Sequence, residues 1–122
     1  QHLKALVAPV DWRPDIRTSL QPDLLVVARE DIGEKAITRP PLLAVEVLSP
    51  STRRKDRVLK FSKYADAGVA SYWIIDPAVP SINAYDLVDG AYVDAGSASG
   101  PTSVTLERPY PVTITPAALI DI

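Results

Sequence analysis

The chain has 122 residues, of which 47% are hydrophobic and 23% are charged, and its formal net charge is −2. These values fit one folded domain with a buried core, so we interpret residues 1–122 as a single domain and exclude disordered and collagen-like proteins. The negative net charge argues against a protein that coats nucleic acid through bulk electrostatics, so any nucleic-acid contact must be local. Because the chain has no cysteine, it contains no disulfide framework, thiolate metal site or cysteine nucleophile.

No apolar run approaches the roughly 20 residues that span a bilayer, and the start lacks the pattern of a signal peptide. We therefore expect a cytoplasmic protein with no membrane partner. Because the sequence begins at Gln1 and contains no methionine, we also expect the natural start to lie upstream and the domain to be incomplete at its N-terminus.

Short apolar, β-rich runs alternate with turn signals in the first half of the chain. They predict strands over 3–10, 24–28 and 42–48, with a connection over 12–22. We expect the second and third of these strands to be antiparallel neighbours, because a polar link joins them. If the link folds symmetrically about its middle, Asp23 lies opposite Glu46.

One prominent helix follows, because residues 55–67 have helical periodicity and Gly68 stands where a left-handed C-cap residue belongs. The dipeptide Asp89-Gly90 predicts a two-residue hairpin turn. The remaining predicted elements are a strand over 70–75, the hairpin strands over 82–88 and 91–95, a loop over 96–102, a strand over 104–106 and a helical turn over 116–120. The fold class is therefore α/β, a mixed sheet with one main helix after the strand that carries Glu46.

Two carboxylates interrupt the apolar strands, Asp23 at the head of one and Glu46 inside another. The side chain of Glu46 should face the core, because the alternating positions Ala44 and Leu48 are apolar. A buried charge is costly unless it is paired or binds a metal. The two acids are therefore candidate ligands for one cation. The alternatives are a turn residue for Asp23, which follows proline, and a structural ion pair for Glu46.

The predicted helix carries a concentration of positive charge in an acidic chain. Asp56, Lys60 and Tyr64 recur every four residues, so we expect them to form one line on a face apart from the buried stripe, with Lys60 presented toward the acids. Six of the 13 basic residues lie between positions 53 and 63: Arg53, Arg54, Lys55, Arg57, Lys60 and Lys63. Cations at a helix start oppose the helix dipole, and a bound phosphate would reverse that effect. Contact with phosphate is one interpretation, and a solvated helix face is the other.

Several motifs together resemble the Uma-two family of bacterial endonucleases, within the restriction-endonuclease-like PD-(D/E)XK superfamily. The similarity runs from about Pro9 to Tyr92. The motifs are Pro22-Asp23, Glu46-Val47-Leu48-Ser49-Pro50-Ser51-Thr52, Asp56-x-x-x-Lys60-x-x-x-Tyr64 and Ala67-Gly68-Val69-x-x-Tyr72-Trp73-x-x-Asp76-Pro77.

This resemblance implies a restriction-endonuclease-like core in which Asp23, Glu46 and the backbone carbonyl of Val47 hold Mg²⁺, or Mn²⁺ in its place. The family pattern expects a lysine where Leu48 stands, and we expect Lys60 to supply its role. The family's upstream helix is missing from this sequence.

The function expected from this resemblance is Mg²⁺-dependent hydrolysis of nucleic-acid phosphodiester bonds, with Asp23, Glu46 and Lys60 as catalytic residues. Arg53, Arg54, Lys55 and Arg57 would bind the nucleic acid, which we expect to be DNA. A homodimer would suit cleavage of both strands of a duplex. Two alternatives remain: a catalytically silent nuclease-like module that binds nucleic acid or a protein, which Leu48 favours, and a structural domain that binds no divalent ion.

Overall fold

The computed structural model describes residues 3–7, 12–15, 18–20, 23–28, 40–48 and 55–120. These residues form strands and helices in the order β1 (Leu3–Val7), β2 (Trp12–Asp15), β3 (Thr18–Leu20), β4 (Leu24–Ala28), β5 (Leu43–Val47), α1 (Lys55–Asp66), β6 (Ser71–Asp76), β7 (Ser81–Val88), β8 (Ala91–Ser99), β9 (Val104–Leu106), β10 (Val112–Ile114) and α2 (Pro116–Ile120). The expected α/β class, with one main helix after the Glu46 strand, is confirmed.

The central element is a six-stranded sheet with the order β1-β4-β5-β6-β7-β8. Its neighbouring strands pair antiparallel except β5 and β6, which are parallel. A parallel pair needs a crossover connection, and α1 supplies it. Two small two-stranded sheets, β2-β3 and β9-β10, complete the described strands.

Both faces of the central strands are covered, which explains why β5 reads as a nearly continuous apolar run. On one face, a core cluster joins the sheet to α1 through Leu25, Val27, Ala44, Leu48, Tyr64, Val69, Tyr72 and Ile74. The ring of Phe61 adds edge-on contacts, with its centroid 4.9 Å from that of Tyr85 and 5.2 Å from that of Tyr92. On the other face, Val26, Leu43 and Val45 form a second cluster. A polar side chain in β5 is therefore surrounded by apolar neighbours.

The hairpin and the helix end agree with the sequence prediction. Asp89 and Gly90, between β7 and β8, both have positive φ angles, 52° and 82°. This is the conformation that a type I′ turn requires at its two central residues. Gly68, two residues after the end of α1, has a φ of 84°, as expected for a left-handed C-cap.

The predicted connection over 12–22 is wrong, because β2 and β3 lie within it and pair antiparallel. Trp12 pairs with Leu20, and Asp15 pairs with Thr18. Pro14 suggested a loop, but a two-stranded ribbon has free edges on which a residue without an N–H is tolerated. The described residues ahead of β4 form the strands β1, β2 and β3.

The predicted loop over 96–102 is also wrong in its first part, because β8 continues to Ser99. Ala84 pairs with Gly96 and Tyr85 with Asp94, so Ala95 is an extra residue that forms a bulge. The bulge shifts the register by one residue, and pairing with β7 continues through this segment of small residues, whose intrinsic preference for strands is weak. The strand β10 was not predicted and pairs with β9. Neither described helix is long and apolar enough to cross a bilayer.

Gly96 is a close-contact position, and its replacement by alanine should destabilise the protein. A Cβ atom there would lie 2.9 Å from Cγ2 of Val104, and φ is 148°, a conformation that L-residues rarely adopt. We expect Gly96→Ala to lower the free energy of unfolding by about 2–4 kcal/mol, measured by chemical denaturation. In the control Gly90→Ala, φ is also positive but no atom lies within 4 Å of the added Cβ. Backbone strain alone should cost about 1–2 kcal/mol there, so equal losses in the two variants would contradict the steric explanation.

Candidate metal centre

The candidate site lies where β4 begins and β5 ends. In the observed register Leu24 pairs with Val45, Leu25 with Ala44 and Val26 with Leu43. Asp23 directly precedes Leu24 and Glu46 directly follows Val45, so both acids lie at this end of the ladder. Their direct pairing, predicted from the sequence, falls one residue beyond the observed register and stays a prediction. The backbone N–H of Asp23 also donates to the carbonyl of Val45 at 3.0 Å, so Asp23 is held at the end of the ladder.

The carboxylate of Asp23 is held by the strand that carries Glu46. Its Oδ2 atom accepts a hydrogen bond from the backbone N–H of Val47 at 2.7 Å. In a strand, the backbone N–H and C=O of one residue point to the same neighbouring strand, and those of the residue two positions later point the same way. The carbonyl of Val45 accepts from Asp23, so it faces β4. Val47, two residues later, directs its carbonyl to that side as well. The carbonyl and the Asp23 carboxylate, both predicted ligands, therefore lie at the same side of β5.

The carboxylate of Glu46 is buried, with only 7% of the residue exposed. Its Oε1 atom accepts a hydrogen bond of 2.6 Å from the hydroxyl of Tyr64 in α1. This distance is typical of an O–H donor and an ionised carboxylate, which form a stronger bond than two neutral groups. The bond links α1 to β5 and partly offsets the cost of burying a charge in the sheet.

The phenol of Tyr64 stays protonated in the folded protein. Its pKa is raised far above the ordinary value, chiefly by burial, then by the hydrogen bond to Glu46 and the negative charge of Glu46. Tyr72 and Asp23 make smaller contributions to the same shift. Tyr64 is thus a permanent hydrogen-bond donor to Glu46, and the negative charges of Glu46 and, to a smaller extent, Asp23 disfavour ionisation of its hydroxyl.

The donor set fits a hard divalent cation. Mg²⁺ prefers oxygen ligands and is commonly held by one or two carboxylates, while water and substrate phosphate complete its shell. Asp23, Glu46 and the Val47 carbonyl supply ligands of this kind. An ionised carboxylate has about four acceptor positions, so the bond from Tyr64 leaves Glu46 able to coordinate a cation. In the described ranges no group of three or more His, Cys, Asp or Glu side chains comes together, so the fit depends on two acids.

The topology brings the start of α1 to the same end of the sheet. Because β5 and β6 are parallel neighbours, the connecting helix must run back from the carboxyl end of β5 to the start of β6. Lys60 lies four residues before Tyr64 on the same line of the helix, about 6 Å closer to the helix start. Its backbone position is therefore on the side of Tyr64 that leads toward the end of β5.

The remaining predicted basic residues are placed only in part. Lys55 and Arg57 lie in the first turns of α1, but their side chains, like that of Lys60, fall outside the described atoms. Arg53 and Arg54 lie outside the described residues altogether. The roles of these five residues stay predictions.

The face of α1 that carries Tyr64 differs from the sequence prediction. Tyr64 was expected apart from the buried stripe, yet it is fully buried, and its ring centroid lies 4.8 Å from that of Tyr72. A phenol can be buried because its ring packs as an apolar group while its hydroxyl finds a partner, here Glu46. The sequence contained a signal for this contact, since a core-facing glutamate requires a donor and the next helix carries a tyrosine.

Leu48, at the position where the family pattern expects lysine, is part of the core. It is 8% exposed and belongs to the cluster between α1 and the sheet. The residue two positions after Glu46 thus packs against the helix and contributes no charge to the site.

The comparisons with known proteins agree with this fold. The family model Uma2, described as "Putative restriction endonuclease", matches residues 1–119. A solved structure from Anabaena variabilis, described as "a putative nuclease belonging to DUF820", is similar with a TM-score of 0.69 and 16% sequence identity. The match covers 98% of this chain and 68% of that chain, and at this identity it shows a shared nuclease-like fold. No curated protein matches the chain.

Burial of the Tyr64 hydroxyl should make stability fall at alkaline pH. The folded-state pKa of Tyr64 lies above the unfolded value of about 10, so its contribution is complete below pH 10 and is lost as the pH rises beyond it. We expect the free energy of unfolding to decrease by about 1.4 kcal/mol in total between pH 9 and 11 for this group, measured by urea denaturation. In Tyr64→Phe this component of the slope should be absent. An unchanged slope would show that Tyr64 ionises normally in the folded protein.

Proposed function

The chain belongs to the Uma2 family, and on this premise we propose that it is a Mg²⁺-dependent endonuclease that hydrolyses phosphodiester bonds of nucleic acid. Family membership and the nuclease-like fold support a nuclease role. The observation that carries the finer proposal is the hydrogen bond from the Val47 N–H to Asp23, which brings a second carboxylate to the residue after Glu46. Two acids from different strands then meet at one end of the sheet.

In the proposed mechanism, Asp23, Glu46 and the Val47 carbonyl would hold Mg²⁺. When bound, the ion supplies Lewis-acid chemistry, which polarises a phosphoryl oxygen and makes water a stronger nucleophile at neutral pH. The chain positions these ligands through two hydrogen bonds, one from Val47 to Asp23 and one from Tyr64 to Glu46. Lys60 would stabilise the negative charge that develops on the phosphoryl group or orient the attacking water.

Nucleic-acid binding in this proposal belongs to the basic residues that precede and open α1. The guanidinium groups of Arg53 and Arg54 suit bidentate contact with phosphate, and Lys55 and Arg57 add positive charge nearby. We propose DNA as the substrate and a homodimer as the form that cuts both strands, acting in the cytoplasm. Local concentration of charge would allow binding although the chain has a net charge of −2.

A second candidate function is a nuclease-like module that binds nucleic acid or a protein without cutting. The burial of Leu48 favours it, because the catalytic lysine expected two residues after Glu46 is replaced by a core side chain. The two candidates differ in whether Lys60 and the two acids support turnover.

Removal of either acid should abolish cleavage under the first proposal. We expect Glu46→Gln and Asp23→Asn each to lower the Mg²⁺-dependent rate by about 100-fold or more, since a Lewis acid contributes several kcal/mol to the transition state. Nicking of supercoiled DNA measures the rate. Glu107→Gln is the control, because Glu107 is exposed and lies outside the candidate site. Cleavage by Glu46→Gln at the wild-type rate would refute the assignment, and metal-independent DNA binding without cleavage in the wild type would support the silent module.

A comparison with Lys63 distinguishes a catalytic role of Lys60 from the general attraction of DNA to a positively charged helix. Lys63 is exposed in the last turn of α1, three residues further from the helix start. We expect Lys60→Ala to reduce kcat about 10- to 100-fold, because it removes a positive charge that acts on the transition state. Lys63→Ala should stay within about twofold of wild type in the same single-turnover assay. Equal losses would instead indicate nonspecific attraction of DNA to the helix.

A further inference from the structure

We propose that Tyr64 is a positioning residue, which holds the Glu46 carboxylate in the orientation that binds the divalent cation. This inference rests on the proposed function and adds to it a residue in the opposing helix. It separates two parts of the site: the ligand that touches the cation and the phenol that fixes the ligand.

The position of the Tyr64 hydroxyl is fixed by its surroundings. The residue is completely buried, and its ring packs against the ring of Tyr72 at a centroid distance of 4.8 Å. Its hydroxyl donates to Oε1 of Glu46 at 2.6 Å, across 18 residues of sequence. Glutamate has several rotatable bonds, so a short bond to an immobile donor restricts the direction in which its carboxylate points.

A comparison with Tyr92 shows how this bond differs from one that only gives a buried hydroxyl a hydrogen-bond partner. Tyr92 packs against the same core cluster, and its hydroxyl donates to the backbone carbonyl of Val69 at 2.8 Å. A neutral carbonyl satisfies a phenol without burying a charge. Tyr64 instead donates to the carboxylate of Glu46, a residue that is 7% exposed. Burying this charge costs stability, but it is useful where the carboxylate must point in one direction.

The arrangement matches the way proteins orient metal ligands. Carboxylates that coordinate a metal are commonly fixed by hydrogen bonds from neighbouring groups, and loss of such a partner typically weakens metal affinity or activity 10- to 100-fold. Asp23 has a donor of this kind in the Val47 N–H, and Glu46 has one in Tyr64. Each proposed carboxylate ligand thus accepts a hydrogen bond from a different element of the fold.

The experiment compares Mn²⁺ affinity, without DNA, in the wild type, Tyr64→Phe and Tyr92→Phe. Both variants keep the aromatic ring and lose one phenol hydrogen bond. We expect Tyr64→Phe to bind Mn²⁺ about 10-fold more weakly or worse, and Tyr92→Phe to bind like the wild type, measured by calorimetry at a temperature where all three proteins are folded. The KM for DNA should be unchanged in Tyr64→Phe, while its cleavage rate at low Mn²⁺ falls and recovers at saturating Mn²⁺.

A double variant tests whether the effect passes through Glu46. In the Glu46→Gln background, the further change Tyr64→Phe should leave the residual Mn²⁺ affinity unaltered, because there is no carboxylate to orient. Equal Mn²⁺ affinity in Tyr64→Phe and Tyr92→Phe, or an undiminished effect in the double variant, would overturn the inference while leaving the metal site intact. A wild-type protein that binds no Mn²⁺ would overturn the proposed function itself, so the two failures are distinguishable.

Discussion

A carboxylate buried in the middle of a sheet is the constraint on which the candidate site depends. Glu46 follows three buried residues of β5, Leu43–Val45, and is itself 7% exposed, so its charge needs compensation from within the protein. The hydroxyl of Tyr64 provides part of that compensation at 2.6 Å, and this requires α1 to pack against β5 with little freedom. The packing of the helix and the chemistry of the site therefore depend on one contact. A change that loosens the helix also alters the environment of the acid.

The strand directions bring Asp23 and the start of α1 to the end of β5. An antiparallel neighbour, β4, begins where β5 ends and delivers Asp23 there. A parallel neighbour, β6, requires a crossover helix whose first turns lie at the same end. The carboxyl ends of parallel strands are the usual position of ligand sites in α/β proteins, because side chains and helix starts converge at that edge. Here one parallel pair in a mostly antiparallel sheet is enough to create such an edge.

Sequence reasoning predicted the antiparallel pairing of β4 with β5 and the burial of Glu46, because local patterns determine both. The apolar neighbours of Glu46 indicate which way it faces, and a symmetric link between the two strands agrees with the observed pairing of Leu24 with Val45. The hydrogen bond from Tyr64 to Glu46 was missed because it joins residues 18 apart, which helical periodicity alone does not encode. The strands β2 and β3 and the extension of β8 were missed for a related reason, since Pro14 and Gly96 have weak strand preferences that pairing overrides.

The burial of Leu48 restricts how this site can change. Its side chain fills part of the layer between α1 and the sheet. A lysine side chain at this position would therefore require the core to rearrange or the helix to move away. Positive charge for the end of β5 is therefore more readily drawn from a separate element that faces it. Under the proposed assignment, the two acids belong to the sheet and the lysine belongs to α1. The site is therefore complete only when α1 is packed against the sheet. Activity would then depend on the tertiary packing of the domain and not on the strand motif alone.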